Sequence, residues 1–147
     1  MSIVVWDGKT LAADKRASCG SLIRTTTKIF SLRGCLVGYD GDADAGEELI
    51  AWFKAGEDRE KFPETQRDKE AFTGMLVILP NKKVLKYERT PHPIKFSDKK
   101  FAIGSGRDFA LAAMFLGKTA ADAVRISCIF DSGCGNGVDV LHHAGNK

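Results

Sequence analysis

Residues 2–14 read SIVVWDGKTLAAD. Ile3, Val4, Val5 and Trp6 form a short apolar run of strand length, closed by the turn pair Asp7-Gly8. Lys9 to Asp14 returns as a second strand, so the stretch predicts a β-hairpin. Chain ends are commonly frayed and polar. Here Ser2 abuts the apolar run with no slack, which sets a hydroxyl at the lip of a firmly anchored strand.

Outward from this hairpin the pattern stays β-like. SLIRTTTKIFSL (residues 21–32) is rich in β-branched residues and reads as one strand. GCLVGYDG (34–41) follows the Arg33-Gly34 turn as another. Four strands with short connections predict an antiparallel sheet. The period then changes. In DADAGEELIAWFKAG (42–56), Ala45, Leu49, Trp52 and Phe53 fall on one helical face, with Glu47, Glu48 and Lys54 outside it. EDREKFPETQRDKEAF (57–72) is densely charged, contains Pro63, and reads as an exposed loop with a helical turn.

Strands resume with TGMLVILP (73–80) and KVLKYE (83–88) around an Asn81 turn, and HPIKF (92–96) and KFAIGSG (100–106) add to them. Two helices follow. Phe109, Ala112, Ala113 and Leu116 make the apolar face of the first, which Gly117 ends. Thr119 is the expected N-cap of the second, with Asp122 three residues on and Ala120, Ala123, Val124 and Cys128 on one side. GVDVL (137–141) closes the pattern as a strand. There is no repeat and no linker-like stretch, so 1–147 reads as a single domain. Two packed antiparallel sheets with helices outside fit this order, and so does one sheet with helices on a single face.

The composition narrows the function. With 22 basic and 19 acidic residues interspersed, and a net charge of +3, the chain lacks the concentrated positive charge of a nucleic-acid binder. NKKVLK and SDKK are short and read as solvated turns. No signal peptide is evident, and no apolar run approaches the ~20 residues that span a bilayer. A cytoplasmic protein with no membrane partner is expected, with Cys19, Cys35, Cys128 and Cys134 reduced.

No metal or cofactor is expected. Cys128 and Cys134 with His142 and His143 fit no compact zinc spacing. Asp40, Asp42 and Asp44 suggest a calcium loop, but Ala45 stands at its glycine position and Ala51 at its closing glutamate. AIGSGRDFA (102–110) opens a helix and can cradle an anion, yet it matches neither a P-loop nor a dinucleotide fingerprint. Ser105 reads most simply as a helix N-cap, with Asp108 three residues later.

The chemistry lies at the chain start. Removal of Met1 would leave Ser2 with both a hydroxyl and an α-amine, a nucleophile and a base in one residue. An α-amine with an ordinary pKa of ~7.7–8.0 is partly neutral near pH 7 and can take the hydroxyl proton. Lys28, set between Thr27 and Ile29, is an unusual strand residue. A nearby ammonium favours the deprotonated forms of hydroxyl and amine. It needs a carboxylate to hold it, and Asp14 at the end of the second strand is available. Backbone N–H groups in the GYDGD turn (38–42) are candidate donors for an oxyanion.

Together these residues resemble the proteasome β-subunit and the bacterial HslV-type peptidases, the N-terminal-nucleophile (Ntn) hydrolases. SIVVWDGKTLAAD resembles the family opening, TTTKIF (25–30) the strand with the catalytic lysine, and LVGYDGD (36–42) the oxyanion turn. AIGSGRDFALAA (102–113) is similar to the Gly-Ser-Gly entry to a helix, and DSGCGNGVDV (131–140) to the late Asp-x-x-Ser-Gly-Gly segment, with Asp131, Cys134 and Gly135 at matching places. The small size also resembles the proteasome-like proteins of bacteriophages.

The resemblance implies an α+β fold, a four-layer αββα sandwich of two antiparallel sheets. It implies Ser2 as nucleophile, Lys28 tuning its acidity and Asp14 holding Lys28. It further implies the N–H groups near Asp40 and Gly41 as oxyanion hole, and Ser105 and Asp131 as supports of the amine and its water, with Cys134 and Gly135 beside them. Peptide or unfolded-protein substrates, a homo-oligomer of ring type and an ATP-dependent unfoldase are the implied partners. Ser2 stands where this branch usually has Thr, and Cys134 where it has Ser. Asp40 sets a negative side chain beside the proposed hole, and residues 57–71 are short where relatives have a second long helix. A non-catalytic relative using the same sandwich for assembly or binding, and an Ntn amidase acting on a small substrate, are the alternative readings.

Overall fold

The computed structural model describes residues 2–66 and 72–145. Met1, and residues 67–71 of the expected charged loop, lie outside the described residues. In chain order the strands are β1 (Ile3–Trp6), β2 (Thr10–Asp14), β3 (Arg16–Cys19), β4 (Leu22–Thr25), β5 (Ile29–Leu32), β6 (Cys35–Asp40), β7 (Gly74–Ile78), β8 (Val84–Tyr87), β9 (Ile94–Phe96), β10 (Phe101–Gly104) and β11 (Val138–His142). The helices are α1 (Ala43–Lys54), α2 (Arg107–Phe115) and α3 (Ala120–Phe130). A 3-10 turn at Arg59–Lys61 is the helical turn expected in the charged stretch.

The opening hairpin forms as its sequence indicates. Val4 pairs with Ala13 and Trp6 with Leu11, antiparallel. The Asp7 carboxylate accepts the N–H groups of Lys9 at 2.9 Å and Thr10 at 2.8 Å, which closes the turn. β10 pairs with β1 and β11 with β2, giving a four-stranded antiparallel sheet in the order β10-β1-β2-β11. A second antiparallel sheet runs β5-β6-β7-β8-β9.

The first four expected strands do not share a sheet. Residues 21–32 are not one strand: β4 pairs with β3 in a separate two-stranded ribbon, and the chain breaks at Thr26-Thr27-Lys28 before β5 enters the second sheet. The Thr26 N–H bonds the Lys15 carbonyl at 2.8 Å, and the Lys28 carbonyl accepts the Tyr39 N–H at 3.1 Å. Threonine suits a strand and an extended connection equally, so composition carried no mark of the break. The break leaves Lys28 at the entrance to the second sheet.

Three apolar clusters order the layers. Ile3, Val5 and Ala12 face Ala110, Ala113 and Met114 of α2 and Ala120, Ala123 and Val124 of α3. Val4, Trp6, Leu11 and Ala13, on the opposite face by strand alternation, meet Ile29, Leu36, Leu76 and Ile78 of the second sheet. That sheet's other face, with Val37, Tyr39, Met75 and Val77, receives Leu49, Trp52 and Phe53 of α1. A strand buried on both faces needs an unbroken apolar run, which is why residues 3–6 contain no polar residue. α1 approaches so closely that a Cβ at Gly46 would sit 2.1 Å from the Tyr39 ring.

The buried face of α2 shares only Ala113 with the expected one. Ala110, Ala113 and Met114 are buried, whereas Phe109 is 41% and Leu116 78% exposed. Ala110, Ala113 and Met114 meet α3 and the sheet, while Phe109, Leu111, Ala112, Phe115 and Leu116 stay outside. On α3 the expected face holds: Thr119 caps it by accepting the Asp122 N–H at 3.2 Å, and Ala120, Ala123 and Val124 are buried. The sheet-facing position beside Cys128 belongs to Ser127, whose hydroxyl lies 2.8 Å from the Ala123 carbonyl and 3.1 Å from that of Gly106. Among the described residues no helix is long and apolar enough to cross a membrane.

Candidate active site

Ser2 sits at the head of β1 and is buried. Its Oγ accepts the Gly41 N–H at 3.3 Å, and its carbonyl accepts the Ser105 hydroxyl at 3.4 Å. The antiparallel pairing of β1 with β10 brings Ser105 here, because Ile3 lies opposite Gly104. A Cβ at Gly104 would stand 2.0 Å from the Ser2 oxygen, and Gly104 has φ +106°. Only glycine permits this approach. Ser105 is therefore not the N-cap of α2; that position is Gly106, which has no side chain to cap with.

Asp14 ends β2 and is buried with four donors around it. Oδ1 accepts the Ile3 N–H at 3.1 Å and Lys28 Nζ at 2.8 Å. Oδ2 accepts the N–H groups of Arg16 at 3.2 Å and Gly135 at 3.0 Å. Lys28 is 3% exposed. A buried ion pair offsets its desolvation only with good geometry and further hydrogen bonds, and the three backbone donors on Asp14 supply them. The carboxylate thus fixes the lysine and the peptide next to Ser2 together.

The GYDGD turn contributes through Gly41. Gly41 has φ +89°, and a Cβ there would meet the Phe72 carbonyl at 2.7 Å. The turn is steadied by the Asp42 N–H bonding Thr73 Oγ1 at 3.0 Å. The Asp40 carboxylate accepts the Gly74 N–H on β7 at 2.8 Å, so its charge is engaged with the neighbouring strand. Burial pushes the Asp40 carboxyl above its usual range, against the lowering pull of the Gly74 N–H and of Lys86.

Asp131 follows α3. Its carboxylate accepts the Gly133 N–H at 2.8 Å and the Cys134 thiol at 3.4 Å. Burial opposes its charge, but the hydrogen bonds from Ser105, Gly133 and Cys134 prevail and hold it below the ordinary carboxylate range. The Cys134 thiol is pushed up by its hydrogen bond with Cys128, by burial and by the Asp14 and Asp131 carboxylates, so it remains a proton donor. Ser2, Ser105, Asp131, Cys134, Gly135, Asp14 and Lys28 therefore form one continuous set of contacts, with Gly41 and Asp40 on the facing sheet.

Two residues that sequence reading passed over hold this set in place. Arg16 donates through Nη1 to the Ser132 carbonyl at 2.7 Å and through Nε to Asn136 Oδ1 at 3.1 Å. Its guanidinium covers Gly135 so closely that a Cβ there would lie 2.4 Å from Nη2. Asn136 in turn donates to the Arg24 carbonyl at 3.1 Å and Thr25 Oγ1 at 3.0 Å. The available signal was spacing: Arg16 stands two residues past Asp14, and Asn136 lies between two glycines.

Two antiparallel sheets, their helices and the buried head of β1 make up an HslV/proteasome-type fold. Among solved structures, the chain is similar to Thiobacillus denitrificans BPH in complex with epoxomicin, with TM-score 0.72 and 17% identity over 99% of this chain and 100% of that one. BPH solved alone gives TM-score 0.70 and 16% identity over the same shares. Eukaryotic HslV from Trypanosoma brucei gives 0.68 and 19%, covering 96% of this chain and 97% of that one. At these identities the likeness is one of fold. No family model and no curated protein matches the chain.

Proposed function

We propose that the chain, as one domain over 1–147, is a peptidase of the Ntn-hydrolase type with a four-layer αββα sandwich and Ser2 as nucleophile once Met1 is removed. The observation that carries this reading is the buried Ser2 hydroxyl, within hydrogen-bond distance of the Gly41 N–H, beside the Asp14–Lys28 ion pair. The three stacked apolar clusters support the sandwich.

In the proposed reaction the Ser2 α-amine takes the hydroxyl proton while Oγ bonds to the scissile carbonyl carbon. The carbonyl electrons move to oxygen, and the Gly41 N–H stabilises that oxyanion. Collapse breaks the C–N bond; the ammonium returns its proton to the leaving amine, and an ester to Ser2 remains. Water, deprotonated by the same amine, then cleaves the ester and restores the hydroxyl. Lys28, fixed by Asp14, favours the deprotonated nucleophile. Ser105 and Asp131, with Cys134 and Gly135, position the amine and its water.

Peptides and unfolded chains in the cytoplasm are the proposed substrates, and folded proteins are cut only when an ATP-dependent unfoldase feeds them in. An open nucleophile of this kind would cut indiscriminately, and a homo-oligomeric ring confines it. The α2–α3 surface supports self-association: Phe115 is 89%, Leu116 78%, Ile129 73% and Phe130 66% exposed. Binding of epoxomicin, the ligand of the Thiobacillus protein, belongs to the same proposal. A fluorogenic peptide panel tests the reading. Ser2→Ala is expected to abolish turnover and Ser2→Thr to retain it; equal turnover by wild type and Ser2→Ala would end the proposal.

A further inference from the structure

A cleft of about 920 Å³ opens at the far end of β1, away from Ser2. Trp6, which lines it, is four residues along the strand from Ser2, roughly 13 Å at the rise of an extended chain. Leu79, Leu85 and Phe96, all partly buried, give the apolar wall, with Trp6 and Val84 fully buried behind it, and Phe96 is braced by stacking on Phe101 at 4.4 Å. The volume lies within the range of small-molecule sites, which combine apolar walls with a few polar groups.

The polar groups are strongly biased. Lys82, Lys83, Lys95 and Lys99 line the cleft against a single carboxylate, Asp98. None of the four lysines forms an ion pair among the described residues. They come from three places, the β7–β8 turn (Lys82 and Lys83), strand β9 (Lys95) and the segment between β9 and β10 (Lys99), which converge on one opening. Lys82 is held there at φ +68° in a three-residue turn closed by Leu79 and Lys83. Glycine is the usual residue at such a left-handed position. A lysine kept where the backbone disfavours it places a cation at the cleft.

We infer that this cleft binds an anionic amphiphile, a small carboxylate with an apolar chain, at a site separate from Ser2. The apolar wall takes the chain and the unpaired ammonium groups take the head. No arginine lines the cleft, so the anionic head meets separate lysine point charges rather than the planar guanidinium fork that reads carboxylate or phosphate bidentately.

Calorimetric titration of the full chain with decanoate, below its micelle threshold, tests the inference. Saturable one-to-one binding is expected, with a Kd of tens of micromolar or below, on the scale of about 6–8 kcal/mol in standard terms. Lys95→Glu/Lys99→Glu, both exposed and outside the core, is expected to weaken it about tenfold or more. 1-Decanol, which lacks the charge, should bind at least about tenfold more weakly than decanoate. The Trp6 indole resonance should shift on titration, and Ser2→Ala should bind unchanged, which separates this site from the proposed peptidase chemistry. No saturable heat at about 1 mM, equal binding by the double variant, or loss of binding in Phe115→Ser on the exposed α2 surface would each overturn the inference.

Discussion

Lys28 Nζ donates to Asp14 Oδ1 at 2.8 Å, and neither side chain has more than a trace of contact with solvent. The pair joins the two sheets, because Asp14 closes β2 while Lys28 leads into β5. Removing one partner leaves the other charge buried and alone. Asp14→Ala is therefore expected to destabilise the fold by about 3–5 kcal/mol, read from urea denaturation. Lys28→Met is expected to be costly as well, and adding Asp14→Asn to it should cost less than the sum of the single changes. In the proposed mechanism Lys28→Met also lowers kcat/KM by about 10²-fold. Additive stability losses would argue against the pair acting as a unit.

Gly41 is constrained by space and conformation together. At φ +89°, with the Phe72 carbonyl 2.7 Å from where a Cβ would lie, alanine must displace the turn and its N–H. Gly41→Ala is expected to reduce kcat by about 10²–10³-fold, the loss typical of an oxyanion donor, with near-native far-ultraviolet circular dichroism. Full turnover by this variant would remove Gly41 from the mechanism.

Asp40 supplies a prediction in pH. Burial raises its folded-state carboxyl pKa above the ordinary value. A raised pKa means that the folded state binds the proton more tightly than the unfolded one. The stability linked to Asp40 is thus fully present below the unfolded carboxyl pKa of ~3.9 and is lost as pH rises through the folded value. Asp40→Asn keeps an oxygen acceptor for the Gly74 N–H and removes the half-buried charge. Its Tm should exceed that of wild type at neutral pH, and the gain should shrink as pH falls toward about 4. A variant less stable than wild type at pH 7 would show that the charge itself is needed.

The opening hairpin was legible because a short apolar run, an Asp-Gly turn and a second strand state their structure locally. Lys28 was legible as a residue type out of place in a strand, and Asp14 as the carboxylate available to hold it. The position of Lys28 was not, since its location depends on a break between Thr26 and Lys28 that β-branched composition does not mark. The buried face of α2 was misread for a related reason. Apolar periodicity pointed to Phe109, Ala112, Ala113 and Leu116, while packing against α3 and the sheet buries Ala110, Ala113 and Met114. Ser105 looked like a cap, but the strand register directed it to the Ser2 carbonyl. Arg16 and Asn136 act through long-range contacts that spacing alone did not reveal.

The central claim is that the α-amine and hydroxyl of Ser2 act together on an amide. The most direct measurement compares peptide turnover by the chain beginning at Ser2 with the same chain retaining Met1, each verified by intact mass. Turnover is expected from the Ser2-started chain and essentially none from the Met1-retaining one, with both folded alike by circular dichroism. Equal turnover by the two forms would contradict the account, because the Ser2 nitrogen would then be an amide with no proton-accepting role.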